Sequence, residues 1–158
     1  MSRLDSMLRR LTAQRDGLNW AAAQVADLPG AALDIGLGNG RTYDHMRKIM
    51  PHRRVLVIDR VLQCHASCVP PQEDFLQGEA DAMLVGLAGA EIALAHYDLG
   101  FGDEVQDVAE AARMSPLVKG VMAAEGIVVS GQPLVGFAEL PPPEGIPEGR
   151  YRFYRIRP

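Results

Sequence analysis

The sequence predicts an α/β fold on a doubly wound, mostly parallel sheet, and three observations predict it. A short apolar run over residues 31–35 carries Asp34 near its end and opens into alternate glycines, Gly36, Gly38 and Gly40. A polar stretch of helical character follows as far as Pro51. A second apolar run, Val55-Leu56-Val57-Ile58, then closes on Asp59. Strand, glycine turn, helix, strand and carboxylate together form a recipe for holding a nucleoside at the carboxyl edge of an open sheet. Glycine lets the backbone turn sharply and approach a ligand that a Cβ would push away. One carboxylate can accept hydrogen bonds from both hydroxyls of a ribose.

The remaining elements follow in order. Leu4, Met7, Leu8 and Leu11 recur at helical spacing, and an alanine-rich stretch over residues 19–25 predicts a second helical piece. Asp27-Leu28-Pro29-Gly30 ends it. This N-terminal segment, residues 1–30, is placed to cover a bound ligand as a lid. Trp20, the only tryptophan, reads as a core residue. The first strand is predicted over residues 31–35, a helix over 41–50 stopped by Pro51, and the second strand over 55–59. Residues 61–73 contain Pro70-Pro71 and leave little room for a full crossover helix, so one helical turn or an irregular loop is expected.

Phe75-Leu76 begins a short third strand, residues 81–87 read as a helix, and the apolar run 92–97 reads as a buried strand. Asp103 opens a helix with Val105, Val108, Ala109 and Ala112 on one face. Ser115-Pro116 predicts a restart of helix as far as residue 124, since proline is tolerated in a first turn. Gly126 precedes a strand at Ile127-Val128-Val129. Ser130-Gly131-Gln132-Pro133 then passes almost directly into Leu134-Val135-Gly136-Phe137 with no helix between. Pro141-Pro142-Pro143-Glu144-Gly145 makes a stiff loop. Residues 150–156 supply a last, antiparallel strand in which Tyr151 and Phe153 alternate against Arg152 and Tyr154. The expected organisation is a single domain, with a core over residues 31–130 and C-terminal strands over 131–158.

Composition bounds the function. The chain has 158 residues, 47% hydrophobic and 23% charged, with a net charge of -4, which suits one compact core. No stretch approaches the ~20 apolar residues of a membrane span. Two cysteines and no secretory pattern predict a reducing, cytoplasmic setting. Mild acidity argues against nucleic acid as the main partner. The basic clusters, Arg9-Arg10 and Arg150, Arg152, Arg155 and Arg157, read as solvated faces or a subunit contact. Cys64-His65-Ala66-Ser67-Cys68 lacks the second ligand pair of a structural zinc site, so no metal is assigned.

The spacing decides which nucleoside. A dinucleotide turn, G-x-G-x-x-G, would need glycine at Arg41, whereas here the third glycine falls at Gly40. Asp34, Gly36, Gly38 and Gly40 spell D-x-G-x-G-x-G. Over about residues 33–130 the chain resembles the class I, Rossmann-like S-adenosylmethionine-dependent methyltransferases, with shortened crossovers.

The resemblance implies site residues. Asp34 would orient the turn or hold the cofactor's amino group, directly or through water. Gly36, Gly38 and Gly40 would line its methionine and ribose part, Asp59 would accept from the ribose, and Arg60 would flank the adenine. Gly78-Glu79-Ala80 resembles the segment after the third strand, whose acid accepts from the adenine amino group. His96 and Asp98 fall at the end of the fourth strand, where the acceptor side is expected; His96 is also counted among the cofactor-binding residues, and a satisfied core histidine is its alternative reading. The Asn/Asp-Pro-Pro-Tyr/Phe signature of nucleic-acid and glutamine amine methylation is missing there.

The function implied is methyl transfer from S-adenosylmethionine to a small-molecule or peptide-sized acceptor, leaving S-adenosylhomocysteine, with His96 and Asp98 as candidate catalytic residues. A non-catalytic protein binding S-adenosylmethionine or S-adenosylhomocysteine is the alternative, and a nicotinamide-dependent oxidoreductase comes third. The shortened connections also predict sheet surface in need of cover, and hence a homo-oligomer, a dimer or larger.

Overall fold

The computed structural model describes all 158 residues. Seven strands, β1 (Ala32–Ile35), β2 (Val55–Asp59), β3 (Phe75–Gln77), β4 (Ile92–Tyr97), β5 (Met122–Ser130), β6 (Ala138–Leu140) and β7 (Arg152–Arg155), form one sheet. Their order is β3-β2-β1-β4-β5-β7-β6. The first five run parallel, and β7 is antiparallel to both its neighbours. Because the order reverses between β1 and β4, the chain leaves these strands in opposite directions and opens a crevice at their carboxyl ends.

Alternation within the strands explains the layers. Val55 and Val57 join a cluster with Leu18 and Ala21 of α1 (Arg3–Gln24) and Met46 of α2 (Arg41–Ile49). Leu56 and Ile58 join the opposite cluster, with Leu84 of α3 (Ala80–Gly86) and Met114 and Val118 of α4 (Glu104–Val121). Side chains two apart share a face, so burial on both faces demands the nearly unbroken apolar runs of β1, β2 and β4. Helices therefore pack on both faces of the sheet, while the edge strand β3 is only partly buried. No helix is long and apolar enough to cross a membrane.

The N-terminal segment is one 22-residue helix, where the sequence predicted two pieces. Gly17 sits tight against the sheet: a Cβ there would stand 2.7 Å from Cζ of Phe153. Leu4, Met7 and Leu8, the apolar stripe of the first turns, face outward at 65%, 58% and 55% exposure. A helix of this length spans about 33 Å, against about 20 Å for a six-residue strand. Its N-terminal half therefore overhangs the carboxyl edge of the sheet.

Other boundaries also shift. α4 continues through Pro116 to Val121, and residues 122–124, predicted as helix, already belong to β5. Ser115 Oγ ties this part of the helix in place, donating to the Ala111 carbonyl at 2.7 Å and accepting from Val135 N at 2.9 Å. Glu125 takes a left-handed φ of 64°, where the pairing of β4 and β5 changes register. Residues 134–137 form a turn, and β6 begins only at Ala138. In β7 the expected alternation fails because both faces are covered. Phe153 meets Trp20 edge-on at 5.4 Å, while Tyr154 is equally buried and packs against Phe137.

Candidate active site

The glycine turn leaves β1 with left-handed φ values of 97° at Gly36, 50° at Gly38 and 83° at Gly40. The two ends of the turn serve different purposes. A Cβ on Gly40 would stand 2.5 Å from Cβ of Cys68 and 3.0 Å from Cβ of Cys64, whereas one on Gly38 would meet nothing within 4 Å. Gly40 is therefore glycine for packing, and Gly38 leaves an open surface on the turn. The cysteine segment is a brace behind this turn, with His65 Nδ1 accepting from Ser67 N at 3.1 Å.

Asp59, at the end of β2, faces the turn. Its Oδ2 accepts from the backbone N–H of Leu37 at 2.9 Å and Gly38 at 3.1 Å, and its Oδ1 from Val61 N at 3.2 Å. A carboxylate has about four lone-pair sites, so acceptor capacity remains. The Asp59 carbonyl accepts from Gly78 N at 3.0 Å, and Gln77 Nε2 donates to the Arg60 carbonyl at 3.1 Å. These bonds lock the loops after β2 and β3 together. A cleft of ≈ 210 Å³ opens beside them, lined by Asp59, Arg60, Gly78, Glu79, Ala80 and, from the loop after β4, Leu99 and Phe101. Glu79 begins α3 without a side-chain capping bond and stays exposed, 4.0 Å from Arg60.

A second cavity, ≈ 140 Å³, lies between the overhanging α1 and the glycine turn. Arg10 and Gln14 line it from α1, Gly36, Gly38 and Asn39 from the turn, and His96 and Asp98 from the end of β4. His96 and Asp34 are register partners on β4 and β1, so their side chains share one face. Asp34 lies beneath the turn, wholly buried, with Oδ1 2.9 Å from His96 Nδ1 and no partner for Oδ2. Burial pushes the Asp34 carboxyl above the usual range, and the bond to His96 opposes that rise.

The other ring nitrogen, His96 Nε2, is 3.2 Å from Gln14 Nε2 and 3.4 Å from Tyr151 Oη. Tyr151 donates to Asp98 Oδ2 at 3.1 Å, and Arg10 donates to the same oxygen at 2.6 Å. With Nδ1–H donating to Asp34, Nε2 is left as the acceptor that Gln14 requires.

The structure thus places Asp59, Arg60, Gly78, Glu79 and Ala80 around one cleft, and Gly36, Gly38, His96 and Asp98 around its neighbour. Asp34 is buried near the end of β1, and Gly40 closes the turn against Cys64 and Cys68. Sequence reasoning missed Arg10, Gln14, Tyr151, Leu99 and Phe101, since no local motif marks them. Of the C-terminal arginines, read as solvated faces or a subunit contact, two pair within the chain, Arg152 with Glu139 at 3.2 Å and Arg155 with Glu125 at 3.4 Å.

A sheet of this order, a glycine turn with an open face and an acid at the next strand end define a nucleoside-cofactor α/β protein. The sequence profile of the S-adenosyl-L-methionine methyltransferase family matches residues 1–156, and the chain belongs to that family. It is similar to the crystal structure of an S-adenosyl-L-methionine methyl transferase from Silicibacter pomeroyi DSS-3, at 35% identity, 98% coverage of each chain and a TM-score of 0.90.

More distant likenesses show the fold alone. The antibiotic-resistance methyltransferase Kmr shares 14% identity over 86% of this chain and 90% of its own, with a TM-score of 0.54. The plantazolicin methyltransferase BpumL, solved with a pentazolic desmethylPZN analog and SAH, shares 14% over 77% and 47%, with a TM-score of 0.50. No curated protein matches this chain. The cofactor is accordingly S-adenosylmethionine, and the open face of Gly38 with the neighbouring cleft fits it.

Proposed function

We propose that this methyltransferase acts on a small or peptide-sized polar acceptor, held between α1 and the glycine turn and deprotonated by His96. The observation that carries this reading is the second cavity. Arg10, Gln14, Asn39, Thr42, His96 and Asp98 give it a polar lining, and at ≈ 140 Å³ it suits a small group.

S-adenosylmethionine supplies a methyl group on a positively charged sulfur, open to in-line displacement by a nucleophile. The chain's part is to align the nucleophile, exclude water and take its proton. Asp59 and Glu79 would hold the ribose and adenine ends, and the turn would seat the rest. Asp34 fixes the ring of His96 so that Nε2 points at the cavity. Asp98, held by Arg10 and Tyr151, would position the acceptor.

The test is a screen of small polar and peptide acceptors against labelled cofactor, repeated with His96→Asn and Asp98→Asn. Asparagine at 96 can still donate towards Asp34 but cannot take a proton. Turnover down by about 100-fold with cofactor affinity retained supports the base. Full turnover in the His96 variant removes it, and cofactor binding without any transfer supports a cofactor-binding protein instead.

A further inference from the structure

His96, read above as the base, has almost no contact with solvent, at 1% exposure. A base must release its proton before the next turnover, and each of its three partners can be examined as a route. Asp34 is wholly buried and leads no further. Gln14 bears an amide, which neither gains nor loses a proton in this range. Tyr151 bears a hydroxyl, which accepts one hydrogen bond while donating another. It lies 3.4 Å from His96 Nε2 and already donates to Asp98 Oδ2 at 3.1 Å. The two ring planes lie within 16° of parallel with their centroids 6.1 Å apart.

We infer that Tyr151 is the proton outlet of His96, passing its proton to Asp98 and from there to water. In the step, the Nε2–H bond breaks and the tyrosine oxygen takes that proton. The tyrosine's own O–H bond breaks in the same motion, and its proton forms a new O–H bond on Asp98 Oδ2. The imidazolium becomes neutral, Asp98 becomes a carboxylic acid, and no electrons change hands. Tyr151 never needs to ionise. Burial and the neighbouring Asp98 carboxylate push its hydroxyl well above the ordinary tyrosine range, against the pull of Arg10, so it remains a neutral relay. At the far end Asp98 retains partial exposure of 18%, and the Arg10 guanidinium beside it is 53% exposed. The chain Asp34, His96, Tyr151, Asp98 thus runs from the sealed interior to solvent, and its relay comes from β7's approach, the last segment to enter the sheet.

This inference rests on His96 as the base, but its test needs no acceptor. In protein with 15N-labelled histidine, line broadening across the titration of His96 reports how fast its ring exchanges protons with water. Tyr151→Phe keeps the ring and removes only the hydroxyl. We expect proton exchange at His96 to slow by about tenfold or more, with the Nδ1 signal facing Asp34 unmoved. Asp98→Asn should slow it similarly, because the outlet then ends in an amide. An unchanged exchange rate in Tyr151→Phe overturns the inference, and so does a slower rate accompanied by a displaced Nδ1 signal, which marks repacking. Failure of the base itself reads out separately, as full turnover in His96→Asn.

Discussion

Asp34 and His96 stand opposite one another in the register of β1 and β4, and their side chains meet at 2.9 Å with neither more than 1% exposed. Such a pair is costly to break from one side. His96→Ala leaves a buried carboxyl without its partner and should destabilise the fold by about 3–5 kcal/mol. Urea unfolding would measure this, and a loss within error of zero would show that the pair carries no structural weight.

The same pair fixes a pH dependence. Burial raises the Asp34 carboxyl above its ordinary 3.8. A raised acid contributes its stability in full below the unfolded value and loses it as pH rises through the higher folded value. Asp34→Asn should flatten that decline. Unfolding midpoints compared from pH 4 to pH 7 check it, and identical slopes in the two proteins would contradict the assignment.

Gly38 and Gly40 should behave differently. Gly38→Ala keeps open space around its new methyl group and should cost only about 1 kcal/mol of backbone strain, yet place that group on the face offered to the cofactor. Gly40→Ala drives a methyl group into Cys64 and Cys68 and should lower the melting temperature more. Calorimetric titration with S-adenosylhomocysteine beside thermal melts separates the two, and equal melts would refute the packing role of Gly40.

Asp59 holds the turn in place and retains capacity for the ribose. Asp59→Ala should weaken S-adenosylmethionine binding by about 1–3 kcal/mol, since both the ribose donors and the Leu37 and Gly38 amides lose an acceptor. Unchanged affinity by calorimetry would move the ribose elsewhere.

Arg10→Ala tests a surface pair. The guanidinium is half exposed, so its loss should alter stability by no more than about 1 kcal/mol. Gly17→Ala, on the same helix but packed on Phe153, should cost about 1–3 kcal/mol through overpacking. If Arg10→Ala proves the more damaging, α1 is held by its ion pair and not by its seat on the sheet.

The glycine turn and the acids beside it could be read in the sequence because they are local. Asp34, the glycines and Asp59 fall within 26 positions, and each sits where a strand or turn must end. The partners that gather around Asp98 could not be read, because Arg10 and Tyr151 reach it across 88 and 53 positions. Helical spacing identified α1 but misplaced its buried face. Leu4, Met7 and Leu8 make the stronger apolar pattern, yet the small residues Ala13, Gly17 and Ala21 are the ones that fit against the sheet. Pro116 marked a restart by propensity alone, and α4 runs through it.

Tyr151 enters through β7, which is slotted between β5 and β6, while Arg10 comes from the opposite end of the chain. The two halves of the site therefore differ in the length of chain that each must close. The turn and Asp59 form from neighbours in sequence, a closure of low entropic cost, whereas the ring of contacts around Asp98 waits for both ends of the chain to arrive. The turn is thus held by short-range links, and the contacts that meet at Asp98 by links from both ends of the sequence.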